Sequence, residues 1–409
     1  MKLLVRFFAG VAALAVAAVI WLWLNSITLD SAAAHGQRDV SAAKATFAEA
    51  IEISREVVKS LVSLNATPAI SVAVAIDGEL AWSEASGWRD IEARLPVSTE
   101  TRFPIGSTAK PLSATAALSL VADGSLNLDA PIAEYVPYWP TEHATISLRQ
   151  LLSHQAGIRH YRLRWNPTAP WLPSESAMNI EFPGTETAVA LFAQDQLQFE
   201  PDTSFGYSTY GYTLASAAME SAARQTFATL MQERVFEPAN MWHTELDRAS
   251  SPLPDRATEY IVLGNGFELM RAPPTNNSYK WAGGGMLSTP EDLVLFGDAL
   301  MSGRLIDDSL RTLMLTPRKL ASGEGNPQNY GLGWRIARLG FPAGSATTAT
   351  VAMHGGTGVG SQATLIIVPD LNIAVAMTTN ASIGDSGPLT QAAVDIARAF
   401  HANRQQVEQ

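Results

Sequence analysis

A serine precedes a lysine by three residues in the stretch PIGSTAKPLS, which covers residues 104–113. Residues three apart on a helix share a face, so the Ser107 hydroxyl and the Lys110 amine can approach each other. Free N–H groups at a helix start disfavour a cation, and with desolvation they lower the pKa of a lysine from about 10.4. A neutral amine can accept the proton of a serine that acts as a nucleophile. The pair is therefore a candidate for covalent acyl transfer.

The same spacing occurs again in SAAK, residues 41–44, so Ser-x-x-Lys alone does not identify a site. There an amphipathic helical pattern begins at Lys44, and Ser41 is expected to be a helix cap or a linker residue. By spacing alone, Ser107 and Lys110 are equally well a solvated pair at a helix start. Only other motifs in the chain can show which of the two Ser-x-x-Lys stretches belongs to a functional site.

Two later stretches add candidate residues in a fixed order. The stretch FGYSTYGYTL contains Tyr207 and Thr209, and MHGGTGVGSQ contains His354, Gly356 and Thr357 at the end of a strand pattern. Ser-x-x-Lys, then Tyr-Ser-x, then His-x-Gly resembles the motif order of the penicilloyl serine transferases. At these residues the chain resembles the serine β-lactamase-related hydrolases, which include class C β-lactamases, D-Ala-D-Ala carboxypeptidases and related esterases.

The resemblance extends from about residue 45 to residue 400 and includes connecting stretches such as GSLNLDAPIAEYVP. Within the family, QAGIRHY, YSTYGYTL and NNSYKWAGGGMLSTPEDLVLFGDAL look most similar to the mitochondrial serine β-lactamase-like proteases. Several long matches in one order are a specific signal.

The resemblance implies a role for each motif residue. Ser107 is expected to be the acylated nucleophile and Lys110 its proton acceptor. Tyr207 is expected to pass the proton to the leaving group and to activate the deacylating water. His354 falls where the β-lactamases keep a lysine that steadies the tyrosine and the substrate carboxylate. The backbone N–H groups of Ser107 and Thr357 are the expected oxyanion hole, in which losing one donor costs ~2.7–4 kcal/mol.

The motifs also depart from the family pattern. Thr209 replaces an asparagine of the second motif, as in the mitochondrial group, and His354-Gly355-Gly356 replaces Lys-Thr-Gly. Small residues such as Gly356 suit a substrate laid along the strand in extended form. A peptidase or esterase is therefore expected. The alternatives are a weak β-lactamase or D-Ala-D-Ala carboxypeptidase, or an assembly protein with vestigial activity, because the mitochondrial relatives form filaments.

No cofactor and no metal are expected. The stretch GVGSQA fits a dinucleotide-binding pattern, but a strand pattern follows it where a helix is required. The chain has no HExxH motif and no paired metal-ligand spacing. His160, close to the expected cleft, is a further candidate site residue. The other histidines are expected to be surface or packing residues: His35, His143, His154, His243 and His401.

Composition restricts the partners. The chain has 28 Lys and Arg against 39 Asp and Glu, a formal net charge of −11, and no basic run, which argues against nucleic acid. It has no cysteine, which excludes a thiol nucleophile and a disulfide framework. The expected partners are a peptide, ester or cell-wall-type substrate, a membrane and other copies of the chain.

The N-terminus predicts a membrane anchor. Lys2 and Arg6 precede Phe7–Leu24, which holds 18 residues without a charge. At ~1.5 Å per residue this segment is long enough to cross a bilayer. The positive charges favour a cytoplasmic N-terminus, which puts the catalytic domain on the periplasmic side of an inner membrane. The alternative is a signal peptide cleaved after AAA, residues 32–34, and a secreted protein.

Strand patterns occur at both ends of the remaining chain. Alternating apolar residues flank Asp77-Gly78, which predicts a hairpin. Further strand patterns with short connections lie at residues 332–340, 348–354, 363–370 and 372–380, and a helical pattern follows at 387–403. Short connections imply antiparallel neighbours.

These patterns predict an α+β protein. Residues 1–42 are expected to be the anchor or signal and a polar linker, and residues 43–405 a β-lactamase-related hydrolase domain of the penicillin-binding/β-lactamase-like fold. Its antiparallel sheet, flanked by helices, should come from about 43–106 and 325–405. A mostly helical insert should occupy about 107–324.

Overall fold

The computed structural model describes residues 25–30, 34–64, 67–166, 171–172, 174–249, 253–263, 268–382, 384 and 386–407. The predicted anchor, Phe7–Leu24, lies outside these residues. Within the described ranges, no helix is both long and apolar enough to span a membrane.

The strands are, in chain order, β1 (Ile27–Thr28), β2 (Arg38–Ala43), β3 (Ala69–Ile76), β4 (Glu79–Asp90), β5 (Leu95–Pro96), β6 (Phe103–Pro104), β7 (Glu245–Leu246), β8 (Tyr260–Val262), β9 (Glu268–Arg271), β10 (Met286–Ser288), β11 (Arg335–Gly340), β12 (Thr348–Gly358), β13 (Ser361–Val368), β14 (Ile373–Thr379) and β15 (Ala381–Ser382). The α-helices are α1 (Ala48–Leu64), α2 (Ala109–Ala122), α3 (Leu148–Leu152), α4 (Thr185–Val189), α5 (Thr209–Ala223), α6 (Phe227–Met231), α7 (Trp281–Gly284), α8 (Pro290–Met301), α9 (Asp308–Met314) and α10 (Gly387–Val407).

The central sheet joins the two ends of the chain. Its strand order is β11-β12-β13-β14-β3-β4-β2, with β5 paired to β4, and all neighbours are antiparallel. The predicted hairpin is present as β3 and β4, and Asp77 and Gly78 both have positive φ in its turn. The pairing of β14 with β3 joins the C-terminal strands to this hairpin, as an α+β sheet built from both ends requires.

Helices cover both faces of this sheet. Val72, Val74 and Ile366 lie in the core on the side of α1 and α10, while Ala73 and Ala363 pack in the core that also holds α8. Side chains alternate between the faces of a strand, so neighbouring residues of β3 and β13 pack in different cores. Helix α8 lies close to β3, β13 and β14, where small residues such as Ala73 and Ala363 occur beside Leu365 and Ile367.

The polar linker expected before residue 43 is partly wrong. Arg38–Ala43 forms the edge strand β2, which pairs with β4, and Ile27–Thr28 pairs with β9. Most of β2 is exposed, so it lacks the apolar alternation that reveals a strand in sequence. Ser41 is a strand residue whose hydroxyl donates to Glu291, and it caps no helix.

The region between the two halves of the sheet carries most of the helices. Helix α2 is almost wholly buried and packs against α5 and α7. Two small sheets lie beside them, with strand orders β6-β10-β7 and β1-β9-β8-β15. In the first, β10 pairs with β6, which leads directly into the turn that carries Ser107.

Candidate active site

Ser107 lies in a single 3-10 turn, Gly106–Thr108, that runs into α2. Lys110 is in the first turn of that helix, and its Nζ is 3.1 Å from the Ser107 Oγ. The serine is partly exposed while the lysine is fully buried. The structure therefore brings together the pair selected from sequence, with the hydroxyl accessible and the amine behind it.

Lys110 is buried in surroundings that disfavour its charged form. Its Nζ donates to the carbonyl of Gly283 at 2.5 Å and contacts the Thr209 Oγ1 at 3.3 Å. Burial holds its pKa well below the usual value, and the positive charges of Lys280 and Arg335 lower it further. A neutral amine has two N–H groups and one lone pair. The carbonyl and the threonine hydroxyl can accept the two N–H groups, which leaves the lone pair for the Ser107 proton.

Tyr207 also reaches this pair. Its hydroxyl is close enough for the Ser107 side chain to affect its pKa, and the Lys110 Nζ lies 4.8 Å from the centre of its ring. Burial raises the pKa of Tyr207 to about 12, so the phenol stays protonated at neutral pH. Thr209 is the first residue of α5, two residues on, and contacts Lys110 where the family pattern has an asparagine.

Two glycines allow β12 to approach the Ser107 turn closely. A Cβ on Gly106, which has φ +51°, would lie 2.8 Å from the backbone nitrogen of Thr357. A Cβ on Gly356 would lie 2.9 Å from the backbone nitrogen of Ser107 and 1.9 Å from the carbonyl oxygen of Ile105. No side chain fits at either position. The backbone nitrogens of Ser107 and Thr357 are thus on two segments in direct contact, as an oxyanion hole needs.

His354 is not among the described residues that line the cavity, so the structure does not place it where the family's lysine would bind a substrate carboxylate. Its Nδ1 faces the carbonyl of Gly355 at 2.8 Å and its Nε2 lies 2.9 Å from the Tyr330 hydroxyl. A carbonyl only accepts, so Nδ1 carries the proton and Nε2 accepts from Tyr330. Burial holds the pKa of His354 well below its ordinary value, and nearby Lys110 and Arg335 lower this pKa further. His354 is a neutral, buried side chain whose ring centre lies 6.3 Å from that of Tyr207.

The cavity in front of Ser107 has a volume of about 470 Å³ and is lined by two cations that motif analysis missed. Lys280 is buried, donates to the Ser176 carbonyl at 3.0 Å, and has a pKa lowered by burial to about 8. Arg335 donates to Gln328 at 2.7 Å. No aspartate or glutamate is among the described residues that line the cavity. The only signal for Lys280 was its stretch, NNSYKWAGGG, and nothing local distinguished Arg335.

His160, the remaining candidate from sequence, does line the cavity. Its Nδ1 accepts the backbone N–H of Thr209 at 3.2 Å. Burial, reinforced by nearby Lys110, lowers its pKa to about 3, so the ring is neutral. No group of metal-ligating side chains occurs within the described part of the chain.

Comparisons with known proteins agree with this geometry. A sequence model of the family described as Beta-lactamase matches residues 55–398. The human mitochondrial serine beta-lactamase-like protein LACTB is 28% identical over 400 residues, covering 79% of this chain and 73% of the relative. A D-aminopeptidase of Cereibacter sphaeroides is 28% identical over 260 residues, covering 63% and 47%.

Among solved structures, a D-amino acid amidase from Ochrobactrum anthropi SV3 superposes with a TM-score of 0.71 at 22% identity. It covers 88% of this chain and 100% of the amidase. A penicillin-binding protein homologue from Pyrococcus abyssi gives a TM-score of 0.67 at 22% identity and covers 88% and 78%. At this identity the likeness concerns the fold, and it confirms the predicted α+β class of penicillin-binding/β-lactamase-like type.

Proposed function

Because the chain belongs to the beta-lactamase family and is a serine hydrolase of that family, we propose that it works through an acyl-enzyme on Ser107. We further propose that its substrates are peptides or esters. The observation that carries this proposal is the fully buried Lys110 at 3.1 Å from the Ser107 hydroxyl, with its pKa lowered by that burial. A buried amine held in its basic form has the chemistry of a general base.

In the first step the Ser107 Oγ attacks the acyl carbon while its proton moves to the Lys110 Nζ. The carbonyl π bond breaks, and the resulting oxyanion accepts hydrogen bonds from the backbone N–H groups of Ser107 and Thr357. When the tetrahedral intermediate collapses, the leaving nitrogen or oxygen takes a proton from Tyr207. Lys110 then returns its proton to the Tyr207 oxygen, which restores the phenol. Since its pKa is about 12, Tyr207 acts as a protonated relay.

Water completes the cycle. It attacks the acyl carbon and gives its proton to the Tyr207 and Lys110 pair, and the bond from the acyl carbon to the Ser107 Oγ breaks. The serine oxygen regains a proton from Lys110, and the acid product leaves. Every proton taken from a nucleophile is returned to a leaving group, so no cofactor is needed.

The charges of the cavity favour substrates that carry an anionic group. Lys280 and Arg335 line it, and no carboxylate does among the described lining residues. A free ammonium group beside Ser107 would be repelled by these two cations, whereas a carboxylate would be attracted. We therefore infer a peptidase or esterase acting on acyl donors with a carboxylate, rather than an aminopeptidase. The same cations favour a D-Ala-D-Ala carboxypeptidase as the second candidate.

The proposal also covers the N-terminal segment and the location of the hydrolase. With Lys2 and Arg6 before 18 uncharged residues, we propose an inner-membrane anchor with the hydrolase on the exterior side. A full-length protein that stays in the membrane fraction through high-salt and carbonate washes supports the anchor, because salt does not screen apolar burial. A mature protein that begins at His35 and is free in the soluble fraction would show a cleaved signal instead.

Labelling with a fluorophosphonate probe tests the proposed nucleophile. The wild type should be labelled on Ser107, and Ser107→Ala should not be labelled. Ser41→Ala is the matched control, since it changes the other Ser-x-x-Lys and should be labelled at the rate of the wild type. Labelling that persists in the Ser107 variant contradicts the assignment.

A further inference from the structure

One residue, His154, holds the main chain on both sides of Tyr207. Its backbone carbonyl accepts the N–H of Gly206 at 2.9 Å, and its ring Nδ1 accepts the N–H of Ser208 at 3.1 Å. The ring itself packs against that of Tyr207, with the centres 4.3 Å apart. The main chain around Tyr207 is therefore fixed by two hydrogen bonds to His154, and the Tyr207 ring packs against the ring of the same histidine. From sequence, His154 was expected to be only a surface or packing residue.

His154 adopts this position in spite of two unfavourable features. Its φ is +60°, in the left-handed region that few non-glycine residues adopt. Because Nδ1 accepts a hydrogen bond, the proton of the neutral ring is on Nε2, and this buried atom has no hydrogen-bond partner among the described residues. Strained backbone and unpaired buried groups both cost stability and concentrate at functional sites. Both are found here at the residue that contacts Tyr207.

His160 supplies the next hydrogen bond along the chain. Its Nδ1 accepts the N–H of Thr209 at 3.2 Å, and its ring meets that of Tyr207 edge-on with the centres 5.6 Å apart. Thr209 in turn contacts the Lys110 amine through its side chain. The two histidines thus accept the backbone N–H groups of Ser208 and Thr209, the two residues that follow Tyr207 in the chain.

We propose that His154 and His160 are positioning residues that form a histidine clamp, holding the Tyr207 hydroxyl at Ser107 and Lys110 during acyl transfer. The proposal rests on the proposed function, because it assigns the clamp to the reaction at Ser107. A displacement of a reacting group by about 1 Å can cost on the order of 100-fold in rate. Loss of the clamp should therefore lower kcat for an ester substrate and leave KM nearly unchanged.

Two substitutions at His154 separate the hydrogen bond from the bulk of the ring. His154→Leu removes the acceptor, and we expect kcat to fall about 10- to 100-fold. His154→Asn puts an amide oxygen close to the position of Nδ1 and tolerates positive φ, so it should recover most of that loss. His160→Leu and His160→Asn should behave the same way. His243→Leu, at a histidine that does not line the cavity, is the control and should leave kcat unchanged.

A His154 variant that is merely less stable would also lose activity. Repeating the substitution in a protein that lacks the Tyr207 hydroxyl separates this effect from a loss of positioning. In Tyr207→Phe the clamp has no hydroxyl to position, so adding His154→Leu should change the rate of Ser107 acylation by an activated ester less than about twofold. A further loss equal to that in the wild-type background, or an asparagine variant as slow as the leucine variant, overturns the clamp. The proposed function is tested separately, by fluorophosphonate labelling of Ser107 in the wild type, and that result does not depend on the clamp.

Discussion

The Nζ of Lys110 lies 3.1 Å from the Oγ of Ser107, and the lysine is fully buried beside two other cations, Lys280 and Arg335. Burial and the two cations act in the same direction, towards the uncharged amine. The pair is therefore ready for proton transfer before substrate binds, and several consequences of this state can be measured.

The first prediction concerns the ionisation of Lys110. Because its pKa is lowered, activity towards an uncharged ester should fall on the acid side, at a pH well below the value near 10.4 at which an ordinary lysine titrates. Lys110→Arg places a permanently charged guanidinium at this position and should reduce kcat/KM by more than about 100-fold. A profile of kcat/KM against pH tests this. Activity that appears only above pH 9 would mean that Lys110 is charged at neutral pH.

The same residue should limit stability. The unfolded chain binds a proton at Lys110 that the folded chain does not, so this group's contribution to the free energy of unfolding rises with pH towards the unfolded pKa. At neutral pH, Lys110→Met should therefore raise the melting temperature by a few degrees while activity is lost. A lower melting temperature would show that the amine stabilises the fold.

The second prediction concerns the contact of β12 with the Ser107 turn. Gly356→Ala adds a methyl group that would lie 1.9 Å from the Ile105 carbonyl oxygen, so one of the two segments must move. Displacing one oxyanion donor should lower kcat about 100- to 1,000-fold. The control is Gly325→Ala, whose added methyl meets nothing within 4 Å. Equal activity of the two variants would contradict the proposed oxyanion hole.

The third prediction concerns substrate charge. Arg335→Gln should reduce kcat/KM for a peptide ester with a free carboxylate about 10-fold or more, with a smaller effect on its amide-capped analogue. Removing this cation should also move the acid limb of the pH profile to higher pH, because Arg335 helps to lower the Lys110 pKa. Lys280→Gln gives a second, independent measurement. Equal losses of kcat/KM on both substrates would show that Arg335 does not select substrates by their charge.

The fourth prediction concerns β-lactams. His354 is neutral and is not among the described residues that line the cavity, and Gly355 has no hydroxyl, so two groups that usually bind a β-lactam carboxylate are missing. Hydrolysis of nitrocefin should be slow beside that of p-nitrophenyl esters. Rates typical of a dedicated resistance enzyme would show that Lys280 and Arg335 are sufficient to bind the β-lactam carboxylate.

Local sequence patterns predicted the central sheet well, because its strands are long, apolar and joined by short turns. The hairpin at Asp77-Gly78 was visible as alternation, and the strands β11, β12, β13 and β14 as strand patterns with short connections. The edge strand β2 was not, since it is mostly exposed and shows no apolar face. An exposed edge strand and a polar linker have the same composition.

The motif residues were found by order and spacing, whereas their orientations depend on the folded chain. Side chains alternate along β12, so His354 and Gly356 face the side of the Ser107 turn, whereas Gly355 faces α10. Which residues face the cavity follows from strand pairing, which one motif does not contain. Lys280 and Arg335 come from distant parts of the chain, and their shared cavity exists only after folding.

The central claim is that Ser107 carries the acyl group. Intact-mass spectrometry of the protein quenched during turnover of an activated ester tests this most directly. The account predicts a mass increase equal to the acyl group, located by peptide analysis on the stretch that contains Ser107, and no increase in Ser107→Ala. An acyl group on another residue, or unchanged turnover by the Ser107 variant, would contradict it.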